Sequence, residues 1–127
     1  MTRVLDASSV LAVLFREPGH EVAAPLLDGA LLSTVNLAEV LGKALDRGVD
    51  VRLLAQRLVA AGVVVEPLTS DDAVLAGSLR SVEGGARLSL GDRCCLALAL
   101  RGRDGEVLTA DRAWAELDLP LRVQLLR

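Results

Sequence analysis

The stretch Arg3-Val4-Leu5-Asp6-Ala7-Ser8-Ser9-Val10-Leu11-Ala12-Val13-Leu14-Phe15 passes from a short apolar run, through one acid, into a longer apolar run. It reads as a strand near residues 3–6 followed by a helix near 8–15, with Asp6 at the joint. In open α/β sheets that joint, at the carboxyl end of a strand, is where ligands bind. The arrangement recurs in Val107-Leu108-Thr109-Ala110-Asp111-Arg112-Ala113-Trp114. Between the two, Asp92 enters the apolar helix Cys94-Cys95-Leu96-Ala97-Leu98-Ala99-Leu100, and Glu39 lies early in Val35-Asn36-Leu37-Ala38-Glu39-Val40-Leu41.

Outward from these segments the elements alternate. Glu17-Pro18-Gly19 ends the first helix, and a short helix near 20–28 runs to Asp28-Gly29. Ala30-Leu31-Leu32-Ser33 reads as a strand, with Ser33 or Thr34 capping a helix near 35–47 that Gly48 stops. Val51, Leu54, Ala55, Leu58 and Val59 repeat at helical spacing across residues 50–61. Val63-Val64-Val65-Glu66-Pro67 reads as the clearest buried strand, β-branched and ended by proline. A helix near 70–82 is expected to be capped by Ser70, with Asp71 and Asp72 in its first turn. Glu83-Gly84-Gly85-Ala86 is a loop, followed by a helix near 90–101, a strand at 107–109, a short helix near 111–117 and a last strand near 121–126. Strands alternating with helices imply a parallel sheet covered on both faces. With no repeats, low-complexity runs or linkers, residues 1–127 are expected to form a single α/β domain.

Composition narrows the class. The chain is 52% apolar over 127 residues, with one Phe, one Trp and no Tyr, so its core must be aliphatic. No apolar run reaches the ~18 residues of a membrane span, and no export leader is visible. The expectation is a cytoplasmic protein without a membrane partner. Cys94 and Cys95 are neighbours diverging by about 100° on a helix, which suits small buried hydrophobes rather than a disulfide or zinc pair. Removing four acids from a net charge of −3 leaves +1 for the rest of the chain, and 13 of the 14 basic residues are Arg. Arginine grips phosphate bidentately, so the charge balance neither establishes nor excludes RNA. Trp114 is the only sizeable candidate for base stacking.

Each acid has an ordinary structural explanation. Asp6 and Asp111 could cap helices, Ser89-Leu90-Gly91-Asp92 resembles a capping box, and Glu39 could pair with Lys43 four residues on. Asp71 and Asp72 sit at a helix start and carry no assigned chemistry. Joint placement adds weight to the chemical reading. Parallel neighbouring strands lie about 4.8 Å apart, so carboxylates at their ends can share a crevice. Several together repel and raise one another's pKa unless a cation joins them. Hard carboxylate oxygens suit Mg²⁺ or Mn²⁺. His20, the only histidine, reads as a surface residue, which leaves a histidine triad or zinc site without support. Ser8 and Ser9 read as a cap, since no base is evident to activate them.

Val4-Leu5-Asp6-Ala7-Ser8, Asn36-Leu37-Ala38-Glu39-Val40, Leu90-Gly91-Asp92 and Leu108-Thr109-Ala110-Asp111 together resemble a PIN domain, specifically the ribonuclease toxins of the VapC type. The ordered set spans nearly the whole chain. The resemblance implies a three-layer fold, a central parallel five-stranded sheet flanked by helices. It also implies Mg²⁺-dependent endoribonuclease activity on single-stranded RNA. Carried over residue by residue, Asp6, Glu39, Asp92 and Asp111 become the catalytic and metal-binding acids, with Mn²⁺ an alternative ion. Ser8, Asn36 and Thr109 match accessory polar positions. A cognate antitoxin and a homodimer are also implied. Arg93 and Arg112, each beside one of the acids, are the nearest candidates for holding the RNA substrate, against the plainer role of solvated helix charges.

Two rivals belong to other classes. An aspartyl phosphotransferase resembles Asp-x-Asp after its first strand, where this chain has Asp6-Ala7-Ser8, and its lone lysine lies in a helix. A catalytically silent α/β interaction module, its acids serving only as caps, is the stronger alternative.

Overall fold

β1 (Thr2–Leu5) runs through the middle of a five-stranded sheet whose strands are all parallel. The computed structural model describes residues 2–127. The other strands are β2 (Leu31–Ser33), β3 (Val64–Glu66), β4 (Gly105–Thr109) and β5 (Arg122–Leu125), in the spatial order β3-β2-β1-β4-β5. Val4 pairs with Val107 and Leu5 with Leu108. Successive strand residues face opposite sides, so each pair feeds a different core. Leu5, Leu32 and Leu108 pack with α1 (Ala7–Phe15), α2 (His20–Ala23), α3 (Thr34–Asp46) and α4 (Val51–Ala60). Val4 and Val107 pack with α6 (Leu90–Ala99), Leu79 and Trp114, while α5 (Ser70–Ser78) lies against α6 through Ala76, Cys94 and Ala97. The result is the expected three-layer α/β arrangement.

Local chemistry sets the boundaries. Ser33 Oγ accepts from the Val35 amide and starts α3, Asp50 caps α4, and Gly48 and Gly62 follow the two helices with φ of 81° and 91°. Gly105 opens β4 because its backbone lies against Ala99, where a Cβ would meet the carbonyl oxygen at 2.1 Å.

Several expectations are corrected. The valine-rich run at 63–67 forms an edge strand, with Val64 44% exposed; β-branching favours a pleated strand whether or not both faces are covered. The cap of α5 is Thr69, one residue earlier than expected, in a capping box with Asp72, and the helix gives way to a 3₁₀ turn at Leu79–Ser81. The segment expected as a helix near 20–28 is α2 continued by a 3₁₀ turn at Ala24–Leu26. Residues Arg112–Glu116 are likewise 3₁₀. Trp114, fully buried, is unavailable for stacking on a base. Among the described residues no helix is long and apolar enough to cross a membrane.

Candidate functional site

β1 continues on one side to β2 and has β4 on the other, so the chain's path reverses between β1 and β4. A crevice opens at the carboxyl ends of strands at such a switch point. Asp6 follows β1 and Asp111 follows β4 by two residues, which places both at this crevice. α3, which follows β2, brings Glu39, and the first turn of α6 brings Asp92. All four line one pocket of about 240 Å³, together with Ser8, Glu17 and Lys43.

Asp6 stands at the N-cap position of α1 but makes no capping hydrogen bond. Its Oδ2 accepts from Ser8 Oγ at 2.7 Å and from Thr109 Oγ1 at 2.8 Å. Ser9 Oγ instead binds the Asp6 carbonyl and secures the turn. Ser8 Oγ also accepts from the Ala110 amide, and Thr109 Oγ1 from the Asp111 amide. The two hydroxyls thus stitch the end of β1 to the end of β4 and hold one carboxylate in place. Asp6 is only 5% exposed. Burial raises its pKa; the Ser8 and Thr109 hydrogen bonds oppose the rise, and the charges of Asp92 and Glu39 add to it. Two of the other acids thus already act on Asp6.

Asn36, buried on α3, donates Nδ2 to Glu39 Oε1 at 3.3 Å and to the Gly91 carbonyl at 3.0 Å. It therefore fixes the Glu39 carboxylate against the turn that carries Asp92. Its Oδ1 is buried with no hydrogen-bond partner among the described residues. Gly91 makes the approach possible, since a Cβ there would stand 2.8 Å from Glu39 Oε1. On its other side Glu39 Oε2 lies 3.7 Å from Lys43 Nζ, the i,i+4 pair expected from sequence.

The capping roles hold for two acids. Asp92 Oδ2 accepts from the Ser89 amide while Ser89 Oγ accepts from the Asp92 amide. Asp111 Oδ1 accepts from the Ala113 amide. Both side chains are held at the pocket by the amides of nearby residues, Ser89 and Ala113, so capping and a place in the crevice coexist. Capping does not account for Asp6 or Glu39.

Of the two arginines, Arg112 is exposed next to Asp111. Arg93 is 8% exposed and donates Nη1 to the Ala76 carbonyl, which ties α6 to α5. A guanidinium buried between helices cannot grip substrate, so that expectation is withdrawn for Arg93. Cys94 and Cys95 are buried as expected; Cys95 Sγ donates to the Leu5 carbonyl beneath Asp6, and burial pushes its thiol pKa well up.

Sequence reasoning passed over Glu17 as part of a helix stop. Arg16 adopts the left-handed conformation (φ 52°) at the end of α1, and the chain turns Glu17 toward the pocket. Sequence gave no signal for this beyond an acid next to Pro-Gly.

The oxygen-only donor set, the mutual repulsion around Asp6 and the unsatisfied Asn36 Oδ1 all suit a hard divalent ion with attached waters. Among the described residues no three acids stand close enough to enclose an ion as placed.

The chain resembles solved toxin–antitoxin assemblies in fold. A toxin–antitoxin complex from Klebsiella pneumoniae superposes with a TM-score of 0.71 at 16% identity, over 95% of each chain. DNA-bound VapBC from Salmonella typhimurium gives 0.73 at 16% identity, over 100% of this chain and 99% of that one. VapBC2 from Rickettsia felis, bound to a promoter DNA fragment, gives 0.68 at 13% identity over 98% of each. No curated protein matches by sequence. The PIN-domain family profile matches residues 3–119, an interval that contains all five pocket acids. By that match, and with the five-stranded parallel sheet and its crevice in agreement, the chain belongs to the PIN-domain family.

Proposed function

We propose that the protein is a divalent-metal-dependent endoribonuclease of the VapC kind, the toxin of a toxin–antitoxin pair. The observation that carries this reading is the meeting of Asp6, Glu39, Asp92 and Asp111 in one pocket at the β1/β4 switch point of a PIN fold. Those four residues would hold Mg²⁺, or Mn²⁺ in its place. When bound, the ion supplies charge stabilisation for in-line displacement at phosphorus and makes water a competent nucleophile near neutral pH. The protein's own part is positional. Ser8 and Thr109 fix the Asp6 carboxylate, Asn36 aims Glu39, and the backbone caps hold Asp92 and Asp111. Arg112, exposed at the rim, is the remaining arginine placed to meet a phosphate. Cleavage is expected to leave a 5′-phosphate and a 3′-hydroxyl.

The neighbouring structures are toxin–antitoxin complexes, which supports a cognate antitoxin as partner; that it blocks the site, and that the protein is a homodimer, are implied by the resemblance of the sequence to VapC toxins. The test is RNA-end sequencing after induced expression, with purified protein assayed in Mg²⁺ and in EDTA. Wild type should cut single-stranded RNA only with metal, and Asp6→Asn should not cut.

The silent-module alternative draws on the genuine caps at Asp92 and Asp111. It predicts no saturable stabilisation by Mg²⁺. A metal site at 100-fold excess over Kd should add about 2.7 kcal/mol, and a flat melting temperature across a Mg²⁺ titration decides for the module.

A further inference from the structure

The charge of the pocket is lopsided. Asp6, Glu17, Glu39, Asp92 and Asp111 line it, and Lys43 is the one cation among its lining residues. Of the residues that line this wall, Lys43 alone attracts an approaching phosphodiester. Lys43 is also the only lysine among 14 basic residues. It stands where the pocket joins a second groove, of about 410 Å³, that runs between α1 and α3; the two share Leu11, Glu17 and Lys43. A strand leaving the pocket along this groove passes the ammonium.

The pairing with Glu39 does not explain the residue. Nζ lies 3.7 Å from Oε2 and the lysine side chain is 60% exposed. A solvent-screened i,i+4 pair of that length adds little to stability, so breaking it to meet another anion is nearly free. Arginine, used everywhere else in the chain, would fork onto the carboxylate bidentately and hold it. A lysine is a point charge on a flexible stem. It can neutralise Glu39 while the site is vacant and swing away when metal and substrate arrive.

Resting on the ribonuclease reading above, we propose that Lys43 is a substrate-binding residue whose ammonium leaves Glu39 and takes an RNA phosphate at the mouth between pocket and groove. The test measures binding of a single-stranded RNA oligonucleotide to non-cleaving Asp6→Asn protein in Ca²⁺ across a potassium chloride series. The same series is repeated with Lys43→Met and Lys43→Arg added. A lost phosphate contact on a single strand reduces the slope of log affinity against log salt by about 0.7. Lys43→Met should lose that amount, and Lys43→Arg, held on Glu39, should lose it as well. With Asp6 intact, Lys43→Met should raise KM for RNA more than it lowers kcat, whereas Lys43→Arg, by gripping Glu39, should raise the Mg²⁺ concentration needed for half-maximal stabilisation. Lys43 is exposed and methionine keeps its stem, so the fold is not at stake. An unchanged salt slope in Lys43→Met overturns the proposal whatever happens to metal binding. The ribonuclease reading is judged separately, by Mg²⁺-dependent cleavage in the wild type. A wild type that cuts RNA alongside an unchanged slope ends only the Lys43 assignment; a wild type that does not cut ends both.

Discussion

Asp6 occupies a helix N-cap and gives its backbone no help, because both hydrogen bonds to Oδ2 come from hydroxyls, Ser8 in the first turn of α1 and Thr109 at the end of β4. Its raised pKa has a sign that can be tested. A carboxyl whose folded pKa lies above its unfolded value stabilises the fold at low pH and loses that contribution as pH rises through the folded value. Metal-free Asp6→Asn should therefore melt above wild type at neutral pH, with the gap closing on acidification into the ordinary carboxylate range. A gap that stays constant with pH would show that burial of Asp6 carries no electrostatic penalty. The same substitution should reduce cleavage more than about 100-fold, since even a residue behind a metal ligand costs about 10–100-fold. At this scale the acids were legible because type and place coincided: an acid after an apolar run is a strand-end acid. The burial of Arg93 and Trp114 was not legible, because it depends on which elements pack across them; neither the adjacency of Arg93 to Asp92 nor the scarcity of aromatics that singled out Trp114 says anything of that.

α6 owes its start to the Ser89–Asp92 box and its close approach to α3 to Gly91. One side chain therefore serves both the helix and the pocket, and two substitutions can separate the roles. Asp92→Asn keeps an amide oxygen for the Ser89 amide and should leave stability near wild type while abolishing cleavage. Asp92→Ala should abolish cleavage and also cost about 1 kcal/mol, the usual worth of a lost cap, measured by urea unfolding. If the two unfold at the same urea concentration, the capping bond contributes nothing. Helices and their glycine stops were readable from period and punctuation, whereas β3 was placed in the interior because β-branching reports strand and not position. Its seat at the sheet edge depends on the order in which strands assemble, which no local pattern encodes.

Across the whole molecule, Asp72 ties three distant pieces together. It closes the capping box of α5 and receives the Arg101 guanidinium from beyond the end of α6, while Arg101 reaches the Pro67 carbonyl and Glu66 at the end of β3. The arginine holds the Asp72 carboxyl down at about 2, against an ordinary value of 3.8. A lowered pKa stabilises the fold above the unfolded value and is lost as pH falls through the folded one. Acid unfolding should accordingly steepen between about pH 4 and pH 2, and Asp72→Ala should remove that step and cost about 3 kcal/mol, a cap plus a charge-assisted bond. An acid titration of the variant that overlays wild type would rule out this clip. The alternation of elements made a covered parallel sheet legible, but the adjacency of β1 and β4 was not, since Asp6 and Asp111 meet only through the resulting strand order. That adjacency also sets a schedule. β4, Thr109 and Asp111 are synthesised after β1, β2, β3 and the other pocket acids, and without them Asp6 has neither its second hydroxyl nor its opposite acid. A chain made only as far as α6 carries the segments of β1, β2 and β3 and the acids Asp6, Glu39 and Asp92, yet it lacks the strand and the acid that complete their pocket.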